Sequence, residues 1–191
     1  GCSTMGPMRG VGDAVVLDKT VVELPEAQLL DVWVEIFNPG TLPEDEEDAA
    51  GLSMDIREAE ARYFPEQLRA TMERTGYWGA VRLVPQDTAG SELLVSGTII
   101  ESDGENLELE IRAQDATGKE WFRRTYSKEI DYTQYLRIDR EGEDVFQPLY
   151  NTIANDLAKL RAKLERGEIT KIRRVASLRF ASDLAPEAFD G

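Results

Sequence analysis

The feature that most constrains the fold is a set of alternating segments between Leu93 and Ile130. Apolar side chains occupy every second position from Leu107 to Ala113, and charged or amide side chains occupy the positions between them. This period is typical of a strand with one face in the core and the other in water. Asp103-Gly104 and Thr117-Gly118 are turn dipeptides that separate the segments. The pattern predicts a three-stranded antiparallel meander over Leu93–Ser102, Asn106–Asp115 and Glu120–Ile130.

Two helical segments flank the meander. The first begins at Asp55, which has Glu58 at capping-box spacing, and Gly76 supplies a natural C-terminal cap. Pro65 lies inside this segment and is predicted to kink or restart the helix. The second repeats apolar side chains at three- and four-residue intervals over Val145–Leu164, which predicts an amphipathic helix of about 20 residues.

Two further strands precede the meander. Leu29–Phe37 alternates clearly, and Ala80–Val84 is a short apolar run that ends before a proline. The order is strand, helix, strand, meander, helix. We therefore expect an α+β fold, in which a mixed sheet contains the meander and two main helices pack on one face.

The chain divides into three predicted parts. Residues 1–13 have no apolar period and are predicted to be a flexible tether, residues 14–166 form the α+β domain, and residues 167–191 form a basic C-terminal segment that is predicted to be helical. Two β-branched runs within Asp13–Leu24 predict either an edge hairpin or a segment that wraps around the domain.

The charge distribution is uneven. The net charge is −15, which disfavours nucleic acid as a partner because phosphate binding needs clustered Lys and Arg. The range Lys159–Arg179 nevertheless contains eight basic and two acidic residues. This segment, with Arg173 and Arg174, is a candidate interaction arm that docks on another copy of the chain or on an anionic surface. The alternative is a solvated helix face with internal ion pairs.

The residue types argue against an enzyme. The chain has no histidine and one cysteine, so it has no Ser-His-Asp triad, no Cys-His pair, no His-ligated metal and no internal disulfide. G-x-S-x-G and Walker A motifs are absent from the sequence. The acidic run Glu44–Asp48 offers carboxylates to a hard cation but lacks EF-hand spacing, which favours a solvated loop. We therefore predict no catalysis, no cofactor and no metal.

Aromatic residues supply the remaining binding candidates. Tyr77 and Trp78 lie at a helix-to-strand junction, where they serve either as exposed partner anchors or as core residues. Trp121, Tyr132 and Tyr135 form a second aromatic region around the last strand and its following loop. That region suggests sugar stacking or, alternatively, plain packing.

The first residues, Gly1-Cys2-Ser3-Thr4, resemble the end of the lipobox of bacterial lipoproteins. The resemblance implies that the Cys2 thiol carries a lipid and that the domain is anchored to a membrane. Ser3 follows the cysteine, where the inner-membrane retention signal of the family has Asp. We therefore expect a periplasmic location, on the outer membrane of a Gram-negative bacterium.

Four stretches resemble the amino-terminal domain of TolB and the CsgG-like and LpoB-like lipoproteins: Leu68–Val84, Glu92–Ile100, the hairpin to Asp115, and Phe146–Leu160. The pore formers among these proteins have long membrane hairpins, whereas the first connection here is only Asp103-Gly104-Glu105, so we expect no pore. The resemblance implies a non-enzymatic domain that binds other envelope proteins, as an adaptor or accessory subunit of an envelope-assembly or peptidoglycan-synthesis machine. The alternative is a domain that binds a small ligand or a glycan.

Overall fold

The computed structural model describes residues 7–44, 53–131 and 144–184. The strands in chain order are β1 (Met8–Gly10), β2 (Val32–Glu35), β3 (Val81–Val84), β4 (Leu93–Ser102), β5 (Asn106–Asp115) and β6 (Glu120–Glu129). The helices are α1 (Met54–Thr75), α2 (Gln147–Ala162) and α3 (Arg166–Leu184), and a short 3-10 helix spans Glu26–Gln28.

The strands form one mixed six-stranded sheet in the order β1-β6-β5-β4-β2-β3. The meander β4-β5-β6 is antiparallel, whereas β2 pairs in parallel with both β3 and β4, and β1 pairs in parallel with β6. Leu93 pairs with Asp115 and Asn106 pairs with Glu129, so the two turns fall where the sequence predicts them. The α+β class, the mixed sheet and the meander are confirmed.

The core lies between the sheet and helices α1 and α2. Alternate side chains of the strands, including Val32, Val95 and Leu109, are fully buried against this helical layer. Leu68 and Met72 of α1 and the buried side of α2, which includes Leu149, Ile153 and Leu157, complete the core. The prediction of two main helices on one face of the sheet therefore agrees with the structure, and α3 is a third helix that joins the same core through its own buried residues.

Helix α1 corrects one prediction. It runs without a break from Met54 to Thr75 through Pro65, instead of kinking or restarting there. Proline has no N–H, so it cannot donate to the carbonyl four residues earlier. That carbonyl belongs to Ala61, and it accepts the N–H of Phe37 at 2.8 Å. A neighbouring segment thus uses the helical acceptor that the proline leaves free, and the helix continues.

The ends of α1 differ partly from the sequence prediction. The N-cap is Ser53, whose hydroxyl accepts from the N–H groups of Asp55 and Ile56 at 3.1 and 3.3 Å. The capping box predicted at Asp55 therefore lies two residues too far along the chain. Gly76 closes the helix as predicted, with a left-handed φ of 77° that other residues rarely adopt.

The predicted tether over residues 1–13 needs correction in its described part. Met8–Gly10 is strand β1, and Arg9 forms an ion pair with the buried carboxylate of Asp156 on α2. Lys128, which is buried, donates to the carbonyl of Gly12 and to Asp13, both at 3.0 Å. These contacts fix the segment to the sheet edge.

The segment from residue 14 to residue 24 wraps around the helical layer, one of the two predicted alternatives. The side chains of Asn151 and Asn155 donate to the carbonyls of Val15 and Val16 at 2.9 Å. The N–H of Thr20 then donates to the carbonyl of Thr75 at the end of α1. No strand pairing is present in this described segment.

The C-terminal segment is helical, as predicted, but it is not separate from the domain. Ile169, Ile172 and Ala176 of α3 are buried in the common core. Arg173 donates to the carbonyl of Glu26 at 3.0 Å, which fixes α3 against the 3-10 helix. The boundary predicted between residues 166 and 167 thus falls inside one packed unit.

Candidate functional site

The sheet face opposite the helices is the candidate site, and we call it the open face. Its side chains come from alternate positions of the meander, and most of them remain partly exposed. Thr125, which pairs with Glu110 on this face, is fully buried. At one end of this face, Arg179 of α3 lines a cavity together with Leu94 and Gln114. The polar side chains of the open face are Ser96, Thr98, Glu108, Glu110, Arg112, Gln114, Arg123 and Ser127. The face is polar along β5 because the alternation noted in the sequence sends every apolar side chain of that strand to the other side. Leu94 of β4, opposite Gln114, is an apolar residue on the same face.

A groove crosses this face, with a cavity of about 250 Å³. Ser96, Gly97 and Thr98 of β4 line its floor, and Gln86 and Asp87 form one wall. The wall belongs to the loop after β3, and Asp87 holds it with a φ of 61°, a left-handed conformation that is uncommon for residues other than glycine. The loop therefore folds back over the sheet and gives the open face a bounded recess.

Glu35 closes the groove on the β2 side. It is 8% exposed, and its carboxylate accepts the N–H of Asp87 at 2.7 Å. Burial raises the pKa of the Glu35 carboxyl above its usual range, although the hydrogen bond from Asp87 favours the charged form and opposes that effect. The proximity of the Asp87 carboxylate raises the pKa further.

Two arginines lie at the other side of the groove. Arg112 on β5 and Arg123 on β6 are directly paired across the strands, and both line the cavity. Arg112 Nε donates to Glu120 Oε1 at 2.7 Å, and Arg123 Nε lies 3.4 Å from the same oxygen. The distance to Arg123 is that of an ion pair, but Arg123 Nε makes no hydrogen bond within the part of the chain that the structure describes.

The groove therefore combines carboxylates at one end, hydroxyls along the floor and guanidiniums at the other end. Such a set recognises polar groups through hydrogen bonds and charge. The described residues contain no group of three or more His, Cys, Asp or Glu side chains that is arranged to hold a metal ion. Within those residues, no helix has the length and apolar character that a membrane span requires.

The predicted aromatic residues lie elsewhere. Trp78 is 5% exposed, and its ring centroid is 6.3 Å from that of Trp121, so the two tryptophans meet at the edge of the core. Trp121 Nε1 donates to Asp115 at 2.9 Å. The hydroxyl of Tyr77 donates to Asp18 at 2.7 Å, and the Arg161 guanidinium lies 5.8 Å from the ring centre. Trp78 thus has the packing role that was its alternative.

Other predicted residues fall on α3 or outside the described part of the chain. Arg173 is partly exposed and holds the 3-10 helix, whereas Arg174 is exposed on the outer side of α3. Cys2, Tyr132 and Tyr135 lie outside the described residues, as does the acidic run beyond Glu44. The structure therefore brings Trp78 and Trp121 together but does not bring Arg173 and Arg174 to them.

The sequence prediction missed the groove. The wet side of β5 was visible in the alternation of Glu108, Glu110 and Arg112, but nothing in the sequence marked it as a site. The pairing of Arg112 with Arg123 depends on the register of β5 against β6, which a bulge after Ala113 shifts. Pairing the predicted strands outward from their turn would have placed the two arginines near each other, but not directly opposite, because the bulge shifts the register.

Comparisons with known proteins do not assign the chain to a family. No protein-family model matches it, and no curated protein matches it. A solved structure, a PelC dodecamer from Paraburkholderia phytofirmans, is similar at 16% sequence identity and a TM-score of 0.40, over 83% of this chain and 95% of that one. In residues 7–44, 53–131 and 144–184, the class that the fold defines is an α+β domain with a six-stranded mixed sheet and three helices.

Proposed function

We propose that this chain is a non-enzymatic, lipid-anchored binding domain of the bacterial envelope, which acts as an adaptor or accessory subunit for other envelope proteins. The observation that carries the proposal is the open face. It is a polar sheet surface with a shallow groove, and it lies opposite the helical layer. An envelope-assembly or peptidoglycan-synthesis machine is the kind of partner that the proposal implies. The finer likeness to the TolB amino-terminal domain and to CsgG-like proteins belongs to the same proposal.

The cavities support a protein partner over a small ligand. A second cavity on the described residues holds about 500 Å³ and is open and polar, with Glu101, Asp103 and Glu108 in its lining. Small-molecule sites are usually enclosed and mostly apolar, with a few polar groups. The alternative of a ligand- or glycan-binding domain depended on the aromatic region of Trp121, Tyr132 and Tyr135. Trp121 packs against the buried Trp78 and donates to Asp115, which weakens that basis.

The anchor at Cys2 is part of the proposal and has a geometric consequence. Strand β1 begins at Met8, six positions after Cys2. Because an extended chain spans at most about 3.6 Å per residue, a lipid at Cys2 would hold the β1 edge within roughly 20 Å of the membrane surface. An anchored domain would therefore meet its partners close to one membrane, with β1 as its nearest strand.

The test is crosslinking and affinity capture from envelopes of cells that express the full chain, with mass spectrometry of the captured proteins and of the Cys2 peptide. We expect an acylated Cys2 and a reproducible envelope partner. Cys2→Ala should move the protein out of the membrane fraction. An unmodified Cys2 together with no captured protein would contradict the proposal.

A matched pair of variants locates the surface. Thr98→Lys places a positive charge on the open face, and Ala59→Lys places the same charge on the exposed side of α1. We expect capture to be lost with Thr98→Lys and retained with Ala59→Lys. The reverse result would assign partner binding to the helical side.

A further inference from the structure

The Arg112–Arg123 pair on the open face is unusual because like charges stand directly opposite each other on neighbouring antiparallel strands. Such pairs repel and destabilise a sheet unless an anion lies between them. Glu120 is the anion that the chain supplies, at 2.7 Å from Arg112 Nε and 3.4 Å from Arg123 Nε. One carboxylate thus serves two guanidiniums, and one positive charge of the three groups is not balanced.

Arg123 is the less satisfied of the two arginines. Its side chain is 35% exposed, so it is accessible from the groove. Its Nε is buried and has no hydrogen-bond partner among the described residues. The same atom forms an ion pair with Glu120 Oε1 at 3.4 Å. A guanidinium has five N–H donors in a planar fork, one on Nε and four on the two Nη atoms. Because Arg123 Nε is buried, an acceptor from outside the chain would meet the Nη donors.

We propose that Arg112 and Arg123 form a carboxylate-binding subsite, which receives a single carboxylate of a protein partner. This inference rests on the proposed function, because it names the chemistry by which the open face recognises its partner. The carboxylate belongs either to an Asp or Glu side chain or to a chain terminus. It pairs with the guanidinium forks, and the hydroxyls of Ser96 and Thr98 lie beside it on the floor of the groove.

The surroundings favour one carboxylate over a polyanion. Glu35, Asp87 and Glu110 line the same groove, and the whole chain carries a net charge of −15. A nucleic acid or a polyphosphate brings many charges within the Debye length of about 8 Å and meets these carboxylates. A lone carboxylate brings a single negative charge to Arg112 and Arg123, so these acids repel it less than they repel a polyanion.

The test uses three acetylated tripeptide probes and NMR titration of the full chain. Acetyl-Ala-Glu-Ala-amide carries a side-chain carboxylate, acetyl-Ala-Ala-Ala carries a terminal carboxylate, and acetyl-Ala-Gln-Ala-amide is neutral. We expect at least one carboxylate probe to shift the Nε–Hε signals of Arg112 and Arg123 in a saturable manner, and the neutral probe to shift neither. The probe that binds identifies the source of the carboxylate.

Variants with a matched control separate the subsite from a general charge effect. Arg112→Gln and Arg123→Gln should each weaken carboxylate binding at least tenfold. Arg82 on the edge strand β3 is exposed, pairs with Trp33 of β2 and does not line the groove. Arg82→Gln removes the same charge there and should leave carboxylate binding unchanged. Backbone amide shifts of β5 and β6 in the same spectra establish that each variant is folded. An equal loss with Arg82→Gln would overturn the proposal.

Glu120→Gln provides a test of opposite sign. Because Glu120 is the internal competitor for the two guanidiniums, its neutral amide should let the external carboxylate bind at least threefold more tightly. Unchanged or weaker binding would contradict the subsite.

The two proposals fail in different ways. If no probe binds but the same envelope protein is captured by the wild type and by Arg123→Gln, the subsite is wrong and the proposed function stands. If the probes bind as expected but no envelope protein is captured, the proposed function fails and the subsite stands.

Discussion

Asp156 joins β1, β6 and α2 through one buried carboxylate. Its side chain is 4% exposed and accepts from Arg124 Nη1 and from the Tyr126 hydroxyl, each at 2.7 Å, while Arg9 forms an ion pair with its other oxygen. Removing the charge leaves two guanidiniums without their carboxylate in a partly buried place. We expect Asp156→Asn to lower the free energy of unfolding by about 3 kcal/mol, measured by urea denaturation at neutral pH.

Tyr126→Phe is the control for this prediction. It removes one donor to Asp156 and keeps both ion pairs, so the expected loss is about 1 kcal/mol. If the two variants lost the same stability, the hydroxyl and not the ion pairs would account for the role of Asp156.

Glu35 gives a prediction with a defined pH dependence. Its carboxyl is buried and its pKa in the folded chain lies above the unfolded value, so folding favours the protonated form. The stability from this group is fully present below the unfolded pKa and is lost as pH rises through the folded pKa. We therefore expect Glu35→Gln, whose amide oxygen still accepts from Asp87, to raise the urea midpoint at pH 7.

Urea unfolding of the variant and the wild type at two pH values tests this prediction. At pH 3 the wild-type Glu35 is itself neutral, and the variant should then match the wild type closely. A variant that is less stable than the wild type at pH 7 would show that the hydrogen bond from Asp87 to the charged form outweighs the burial of that charge.

At the scale of elements, β1 and the residues after it up to Asp13 form an edge segment, which we call the strap. Its removal tests how much these residues contribute to the stability of the domain. A chain that begins at Ala14 lacks the Arg9 partner of Asp156 and both described acceptors of the buried Lys128 ammonium. Because a buried charge without its partner is costly, we expect a loss of at least about 3 kcal/mol in urea unfolding. A chain that begins at Pro7 keeps all of these contacts and should retain its stability.

A loss in the Pro7 chain equal to that in the Ala14 chain would place the stabilising contacts before residue 7. Retained stability in the Ala14 chain would show that Lys128 and Asp156 find other partners once the strap is gone.

The elements show which parts of the fold were predictable. Local period and turn residues determine β4, β5 and their connection at Gly104, so the sequence predicts them closely. The path of α1 through Pro65 depends on Phe37, which is distant in sequence and supplies the missing donor to Ala61. Likewise, Met8–Gly10 has no apolar period, and its strand character comes from pairing with β6. Long-range partners decide these features, and a local pattern does not contain them.

At the scale of the whole molecule, the candidate site was less predictable than the fold. Tyr77 and Trp78 were expected to be either exposed partner anchors or core residues, and Trp78 lies in the core, with its ring against that of Trp121. The groove instead gathers Glu35, Asp87, Arg112 and Arg123 from a strand, a loop and two further strands. Their proximity depends on strand order and register, which composition and spacing do not determine.

The net charge of −15 makes the stability of the whole molecule depend on salt. Repulsion between exposed like charges reaches about 30 Å at 0.01 M ionic strength and about 8 Å at 0.15 M, so salt weakens it across a domain of this size. The ion pairs of Asp156 and Lys128 are buried on at least one side and are screened less. We therefore expect the urea midpoint to rise between 0.01 and 0.15 M NaCl.

A charge-reduced variant is the control for the salt series. Glu58→Gln combined with Glu105→Gln removes two exposed carboxylates, on α1 and in the β4–β5 turn. Because less repulsion then remains to be screened, the midpoint should rise less steeply with NaCl than in the wild type. If the midpoint fell with salt in both proteins, favourable surface ion pairs would outweigh the net repulsion, and the acidic excess would not limit the stability of the folded chain.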